Sequence, residues 1–570
     1  MTELTTKDCS NEVLKYRWNR DEVADNLVQF EEIRAGKSQR QAAEEMGVPR
    51  TTLQHWLKRK DSLDASPTVI AFFESPEGLA FLHRLVIAVQ FVMLLVSNGS
   101  IRVVHLFMEL SGLDIYVAGS YGTQQKIAVA MENEVVSFGQ QERTCLAQEM
   151  VPKKITACED ETFHPEICLV AIEPISNFIL LEKYSKQRDA QTWTDSIQKV
   201  LSDLPVSLIQ VTSDEAKGLL RHTRIELGVH HSPDLFHGLR EISKGIFPAL
   251  LSQVKQAQKE YDKTIRETRC HMQDSYNWET QQHHKPGRPP DFNNRIQIAR
   301  KKEDVARQAV ETTVARKERA KEILQEIGDA YHPFDLATGA PRQTEQVKEC
   351  LEKNFSDLDQ IALEASLSER SIQHIDKARR LVPSMLETIT FFWSMVSTSL
   401  KDLSFPLNIE HAMRQNLIPA YYLQYAAGKA KTAAQRQAIQ KVIKKLLAPL
   451  LAPDGPFSVL DEDQIRRFEL VAKECAGFFQ RSSSCVEGRN GQLSLRHHNQ
   501  HRIGTRKLQA LTVVHNFFIT RSDGTTAAER FFGAKPKALF NHLLDKIDLP
   551  ARPARSRPRP QSGSLLLAIA

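Results

Sequence analysis

The chain has 570 residues, more than a single hydrophobic core serves, which predicts three or more domains. At 41% hydrophobic and 25% charged residues the composition is ordinary for a globular protein, and a net charge of +5 permits a polyanionic partner without demanding one. The eight cysteines form no Cys-x-x-Cys pair, which argues against a zinc ribbon or a disulfide framework and for a reducing compartment.

The first residues, MTELTTKDCSNEVLKY, carry no basic region followed by an apolar core, so no signal peptide is predicted and the cytoplasm is the expected location. The first organised stretch is SQRQAAEEMGVPRTTLQHWLKRK, residues 38–60. Ser38 with Gln41 makes a capping box, Ala42, Ala43 and Met46 form a buried face, and Gly47-Val48 forms a turn. Pro49 suits the start of a second helix, in which Leu53, Trp56 and Leu57 face back. This is the helix-turn-helix pattern. The outward residues of its second helix, Arg50, Thr51, Thr52, Gln54, His55, Lys58 and Arg59, are types that reach base edges and phosphates. A helical hairpin with a solvated basic face is the alternative.

Residues 66–150 are expected to be helical, as a linker or a second DNA-binding module. Their most apolar run, LAFLHRLVIAVQFVMLLVSNG, is interrupted by His83, Arg84 and Gln90, which predicts a buried helix and no membrane span. From residue 153 the texture changes. KKITACEDETF is read as a strand, ICLVAIEP and NFILLEKY as a hairpin, DAQTWTDSIQKVLSD as a helix and SLIQVTSDEA as a fourth strand ending in Asp214. A helix and then a fifth strand in LGVHHSPDLFH complete the unit. Acids on the first and fourth strands repel each other unless something neutralises them, and a divalent metal would use their oxygens as ligands. Asp234 is expected to cap the next helix or to brace the site.

The stretches CEDETFHP, QVTSDEAKGL, SPDLFHGLREISKG and SSSCVEGRNGQLSLRHH, in this order and behind the N-terminal motif, resemble the DDE-type transposases of bacterial insertion sequences. The resemblance implies a ribonuclease-H-like core in which Asp160, Asp214 and Glu487 hold two Mg²⁺ ions, with Mn²⁺ able to substitute. An Asp-Glu-Thr on the first strand favours Asp160 over Glu159 and Glu161. It further implies nicking of DNA at an element's ends and joining of those ends to a target, with no protein nucleophile and no small-molecule substrate. The expected partners are double-stranded DNA, as terminal inverted repeats and target, and a second copy of the chain in a synaptic dimer. Arg489, Asn490 and Arg496, after the last acid, are expected at the phosphate backbone. The Arg and Lys that some relatives place around that acid are absent: Ser483 and Leu493 stand there. The alternative to an active transposase is a transposase-derived, catalytically inactive, sequence-specific DNA-binding regulator.

Between the acids lies a long insertion. Its apolar spacing predicts a helical hairpin over 241–330, with Lys285 and Arg288 at a tip that partly resembles an AT-hook, and a helical subdomain over 345–475. The fold class expected is therefore multidomain α/β plus all-α. It comprises a helix-turn-helix domain (1–65), the helical segment (66–150), a mixed-sheet core in two parts (151–240 and 476–550) split by an all-α insertion (241–475), and a disordered basic tail (551–570).

Overall fold

The protein is described from a computed structural model covering residues 20–60, 67–164, 166–281, 288, 290–401, 403, 405–500 and 502–549. Lys285 and the tail 551–570 lie outside the described residues, as do the side chains of Lys58 and Arg59. The architecture is mixed α/β plus all-α: one five-stranded sheet among many helices.

The strands are β1 (Lys153–His164), β2 (Glu166–Glu173), β3 (Phe178–Ser185), β4 (Val206–Ser213) and β5 (His230–Pro233). They lie in the order β3-β2-β1-β4-β5. The β1-β2 and β2-β3 pairs are antiparallel, whereas β1-β4 and β4-β5 are parallel. β2 and β3 are nearly continuous in apolar residues because helices cover both faces of the sheet. Their hairpin turns at Asn177, whose φ of 64° is one that asparagine tolerates.

Among the described residues three larger hydrophobic cores, and a small one of Leu423, Ala427, Ile439 and Val442, divide the molecule. The first joins the sheet to the helices that precede it and to those of residues 484–549. Leu82, Val86, Ile87, Phe91, Leu94 and Leu95 are buried in it. This explains the apolar run at residues 79–99. Pro76–Val96 is the one segment among the described residues long and apolar enough to cross a membrane, yet much of it is buried among the helices of the first core. Gln90 is fully buried within it, and its Nε2 donates to Gln124 Oε1 at 2.6 Å. The 66–150 segment thus packs on the closing helices, which in turn cover the sheet: Phe138 of the Tyr121–Glu149 helix meets Phe517 edge-on, and Gly139 lets that helix approach Val513 too closely for any side chain.

The second core belongs to the insertion. Its hairpin is built from Leu235–Thr280 and Phe292–Ala330, so the first helix leaves β5 directly and begins a few residues before the expected 241. Small buried residues, Ala299, Ala306, Thr264 and Thr268, let the two helices pack closely. Phe392 and Tyr422 are core residues of the helical subdomain.

The third core is the N-terminal module. The capping box forms as the sequence predicts: the Ser38 backbone amide donates to Gln41, and Ser38 Oγ accepts from the Gln41 amide. Gly47 takes φ 64°, the left-handed turn that favours glycine. Ala42, Ala43, Leu53 and Trp56 are buried. A third helix, Arg20–Ile33, which the periodicity reading passed over, supplies Val23, Leu27 and Phe30 to the same core.

Candidate functional site

The pleat of β1 separates its three acids. Successive side chains point to opposite faces, so Glu159 and Glu161 share one face and Asp160 takes the other. Glu161 accepts from Arg188 at 2.9 Å and from the Trp193 indole at 3.2 Å. Glu159 is fully buried, its carboxylate 3.4 Å from the buried His222 ring. Glu161 is thus held by Arg188 and Trp193, whereas both Glu159 oxygens are buried without a hydrogen-bond partner. Asp160 faces the helix Ser484–Gln500, where its Oδ2 accepts from Asn490 Nδ2 at 3.2 Å.

The parallel register pairs Cys158 with Thr212. Two residues beyond that pair stand Asp160, still within β1, and Asp214, just past the end of β4, so the two acids come at the same ends of neighbouring parallel strands. Asp214 turns the chain, its Oδ1 accepting from the Ala216 amide at 3.1 Å. Glu487 lies in the first turn of the Ser484–Gln500 helix, one turn before Asn490 and on the same side. Its Oε1 is 3.9 Å from His237 Nε2. Two other acids of the C-terminal part lie elsewhere: Glu474 faces the Lys154 amide at the far end of β1, and Glu529 sits at the start of the Ala527–Phe532 helix.

Asp234 holds the arrangement together and does both things expected of it. It caps the Leu235–Thr280 helix through the Phe236 amide at 2.9 Å. It also accepts from the Ser483 amide at 3.2 Å, from Ser483 Oγ at 2.6 Å and from His237 Nδ1 at 2.6 Å. One carboxylate thus joins the start of the insertion to the start of the Glu487 helix. Burial opposes its charge, but the His237 and Ser483 hydrogen bonds hold it below the usual carboxylate range. His237 is correspondingly pushed up, first by its bond to Asp234 and further by the charges of Asp160 and Asp214. Asp160 rises to about 7, chiefly through burial, with the carboxylates of Glu487 and Asp214 adding to the rise.

The three acids picked from the sequence are thus brought into one electrostatic neighbourhood, with His237 beside them. Their donor set is carboxylate oxygen, which suits Mg²⁺ or Mn²⁺, and a cation among them would relieve the burial that raises Asp160. Among the described residues no three His, Cys, Asp or Glu side chains already stand as a closed ligand cluster. Asp160 is engaged by Asn490, and Glu487 faces His237.

Three residues expected at the DNA backbone have other roles. Arg489 is buried and donates through Nε and Nη2 to both oxygens of Glu182, each at 2.7 Å. Arg496 is buried against the end of the Pro76–Val96 segment and donates to the carbonyls of Leu94, Leu95, Val96 and Ser97. There it satisfies the last carbonyls of a helix, which have no partners of their own. Asn490 faces the acid site. In the N-terminal module Arg50 and Thr51 are exposed, whereas Thr52, Gln54 and His55 are half-buried, with Gln54 within reach of Gln39 and Arg50. Arg288 is exposed at the hairpin tip.

Sequence reasoning assigned no role to His237 or Glu182. The usable signal for His237 was its place three residues after an N-cap aspartate, which puts both on one side of the first helical turn. The neighbouring His230 and His231 bond Thr388 and Ser213, and burial lowers both to about 4.

Residues 413–559 match a family of unknown function (DUF6399), a span running from the last part of the insertion through the Glu487 helix to the closing helices. No curated protein and no solved structure matches the chain.

Proposed function

We propose that the protein is a DDE-type DNA transposase, binding the terminal inverted repeats of an insertion sequence and cleaving and transferring DNA strands with a divalent metal. The observation that carries this reading is the convergence of Asp160, Asp214 and Glu487 from two neighbouring strands and a helix separated from them by the insertion. The strand order β3-β2-β1-β4-β5, with two antiparallel and two parallel pairings, supports a ribonuclease-H-like core. The capped helix, left-handed glycine turn and second helix support a helix-turn-helix reader, with Arg50 and Thr51 outward. Asp160, Asp214 and Glu487 would hold the metal. The chemistry supplied there by bound Mg²⁺ or Mn²⁺ is activation of the attacking oxygen and stabilisation of the leaving 3′-oxygen. Asp234 fixes where the Glu487 helix begins, and the N-terminal module brings the DNA ends. Two ends must be joined, so the working assembly is a homodimer.

The test is cleavage of DNA carrying the flanking repeats, in Mg²⁺, by wild type and by Asp214→Asn. Metal-dependent nicking by wild type alone, with DNA binding unchanged in the variant, is the expected result. Equal cleavage by both removes Asp214 from the site. One observation favours a second reading, a transposase-derived regulator that binds DNA without cutting it: Asp160 and Glu487 are engaged by Asn490 and His237 and not gathered as a closed ligand set. Specific binding with no cleavage in Mg²⁺ or Mn²⁺, retained when all three acids are replaced, would select it.

A further inference from the structure

Asn490 has one half of its amide accounted for. Its Nδ2 donates to Asp160 Oδ2 at 3.2 Å, while its Oδ1 is buried and has no hydrogen-bond partner. Among the described residues Gln90 Oε1, Gln210 Oε1 and Asn354 Oδ1 are likewise buried without a partner, but of the four amides only that of Asn490 bonds one of the site's acids through its nitrogen. Asn490 stands one helical turn after Glu487, and the two share the side of the Ser484–Gln500 helix that faces β1. The unpartnered oxygen therefore lies at the edge of the acid site.

From this juxtaposition we infer that Asn490 is a fourth oxygen ligand of the acid site, its Oδ1 serving a hard divalent cation beside Asp160, Asp214 and Glu487. The inference rests on the metal-site reading proposed above. Side-chain carbonyl oxygens are ordinary ligands of such cations. A neutral oxygen also suits this position: Asp160 already has Glu487 and Asp214 as negative neighbours, and a fourth carboxylate would add repulsion in the metal-free protein. Rotation of the amide exchanges the two roles. With no cation, Nδ2 serves Asp160; with a cation on Asp160, Oδ1 takes its place.

The experiment is titration of the full chain with Mn²⁺ followed by electron paramagnetic resonance. The proteins compared are wild type, Asp214→Asn, Asn490→Ala and Asn490→Asp, with each variant's unfolding midpoint recorded. The expected result is a saturable site in wild type that Asp214→Asn abolishes, about tenfold weaker in Asn490→Ala. Asn490→Asp should bind at least as tightly as wild type, because it keeps an oxygen donor. It is also the deciding variant if the alanine protein fails to fold. An amide that served only as a donor to Asp160 could not be replaced by a carboxylate, so weakened binding in Asn490→Asp overturns the inference. Wild-type affinity in Asn490→Ala overturns it as well, and the acid-site reading then still stands if Asp214→Asn loses the ion. Absence of any saturable Mn²⁺ site in wild type overturns both.

Discussion

Asp160 occupies a position where its own charge is disfavoured. Burial and two neighbouring carboxylates raise it from 3.8 to about 7 in the fold. An acid whose folded value lies above its unfolded one binds its proton more tightly when folded, so the metal-free protein loses stability as pH rises from about 4 through 7. Asp160→Asn removes that loss. The unfolding midpoint of the metal-free variant should therefore exceed that of wild type at pH 8 and match it near pH 4. The gain is on the order of a few kcal/mol at most, since one pKa unit is worth about 1.4 kcal/mol. Adding Mg²⁺ at pH 8 should raise the midpoint of wild type and leave that of the variant unmoved. Thermal unfolding across pH, with and without Mg²⁺, checks both. A variant that unfolds earlier than wild type at pH 8 without metal would show that the Asp160 charge is not the cost. The choice among the three consecutive acids was legible in part: alternation on a strand sets Asp160 apart from Glu159 and Glu161, but which face carries the site depends on the helix that lands there.

At the scale of elements, the Ser484–Gln500 helix shows where sequence reasoning reaches its limit. Its polar residues run almost all the way round, so periodicity could not say which cations point to solvent and which to the core. Arg489 was read as a phosphate contact because its partner, Glu182, lies 307 positions away on β3. The pair is buried and bidentate, and Thr512 adds a third bond to Glu182 at 2.6 Å. It fixes the helix that carries Glu487 and Asn490 against the sheet. Arg489→Met would leave a buried, unpaired carboxylate and should cost about 3–5 kcal/mol. The double change Arg489→Met with Glu182→Met should recover most of that loss, because two well-packed apolar side chains replace both charges. Denaturant unfolding of the single and double variants measures the coupling. A single variant as stable as wild type would mean that Glu182 finds solvent and that the pair does not hold the helix. Arg496 is a second case of the same kind. Arg496→Ala should destabilise the protein through the orphaned carbonyls of residues 94–97 and leave the salt dependence of DNA binding unchanged, whereas a phosphate contact would reduce that slope.

At the scale of the whole molecule the buried residues fall into distinct cores. The strand-rich stretch, the long helical hairpin and the capped N-terminal pair were legible because each carries local signals: β-branched runs with turn residues, threes-and-fours spacing, and Ser38, Gly47 and Pro49 in register. For residues 66–150 helical spacing shows that a face is buried and not what buries it. The sheet and the helices of residues 484–549 do so, within one core. The module of residues 20–60 is the opposite case: its buried residues form a core of their own, distinct from those of the sheet and the insertion. Removing residues 1–60 should therefore leave the main cooperative unfolding transition within a few degrees of the full chain. If the module is the reader of the DNA ends, the same deletion should abolish discrimination between repeat-bearing and scrambled DNA and leave a weaker, salt-sensitive, sequence-independent affinity. Calorimetry and competition binding at two salt concentrations separate the two statements. A collapsed transition would show that the module stabilises the rest of the chain. Undiminished discrimination would move sequence reading to another part of the molecule, with the exposed Arg288 at the hairpin tip the next residue to replace.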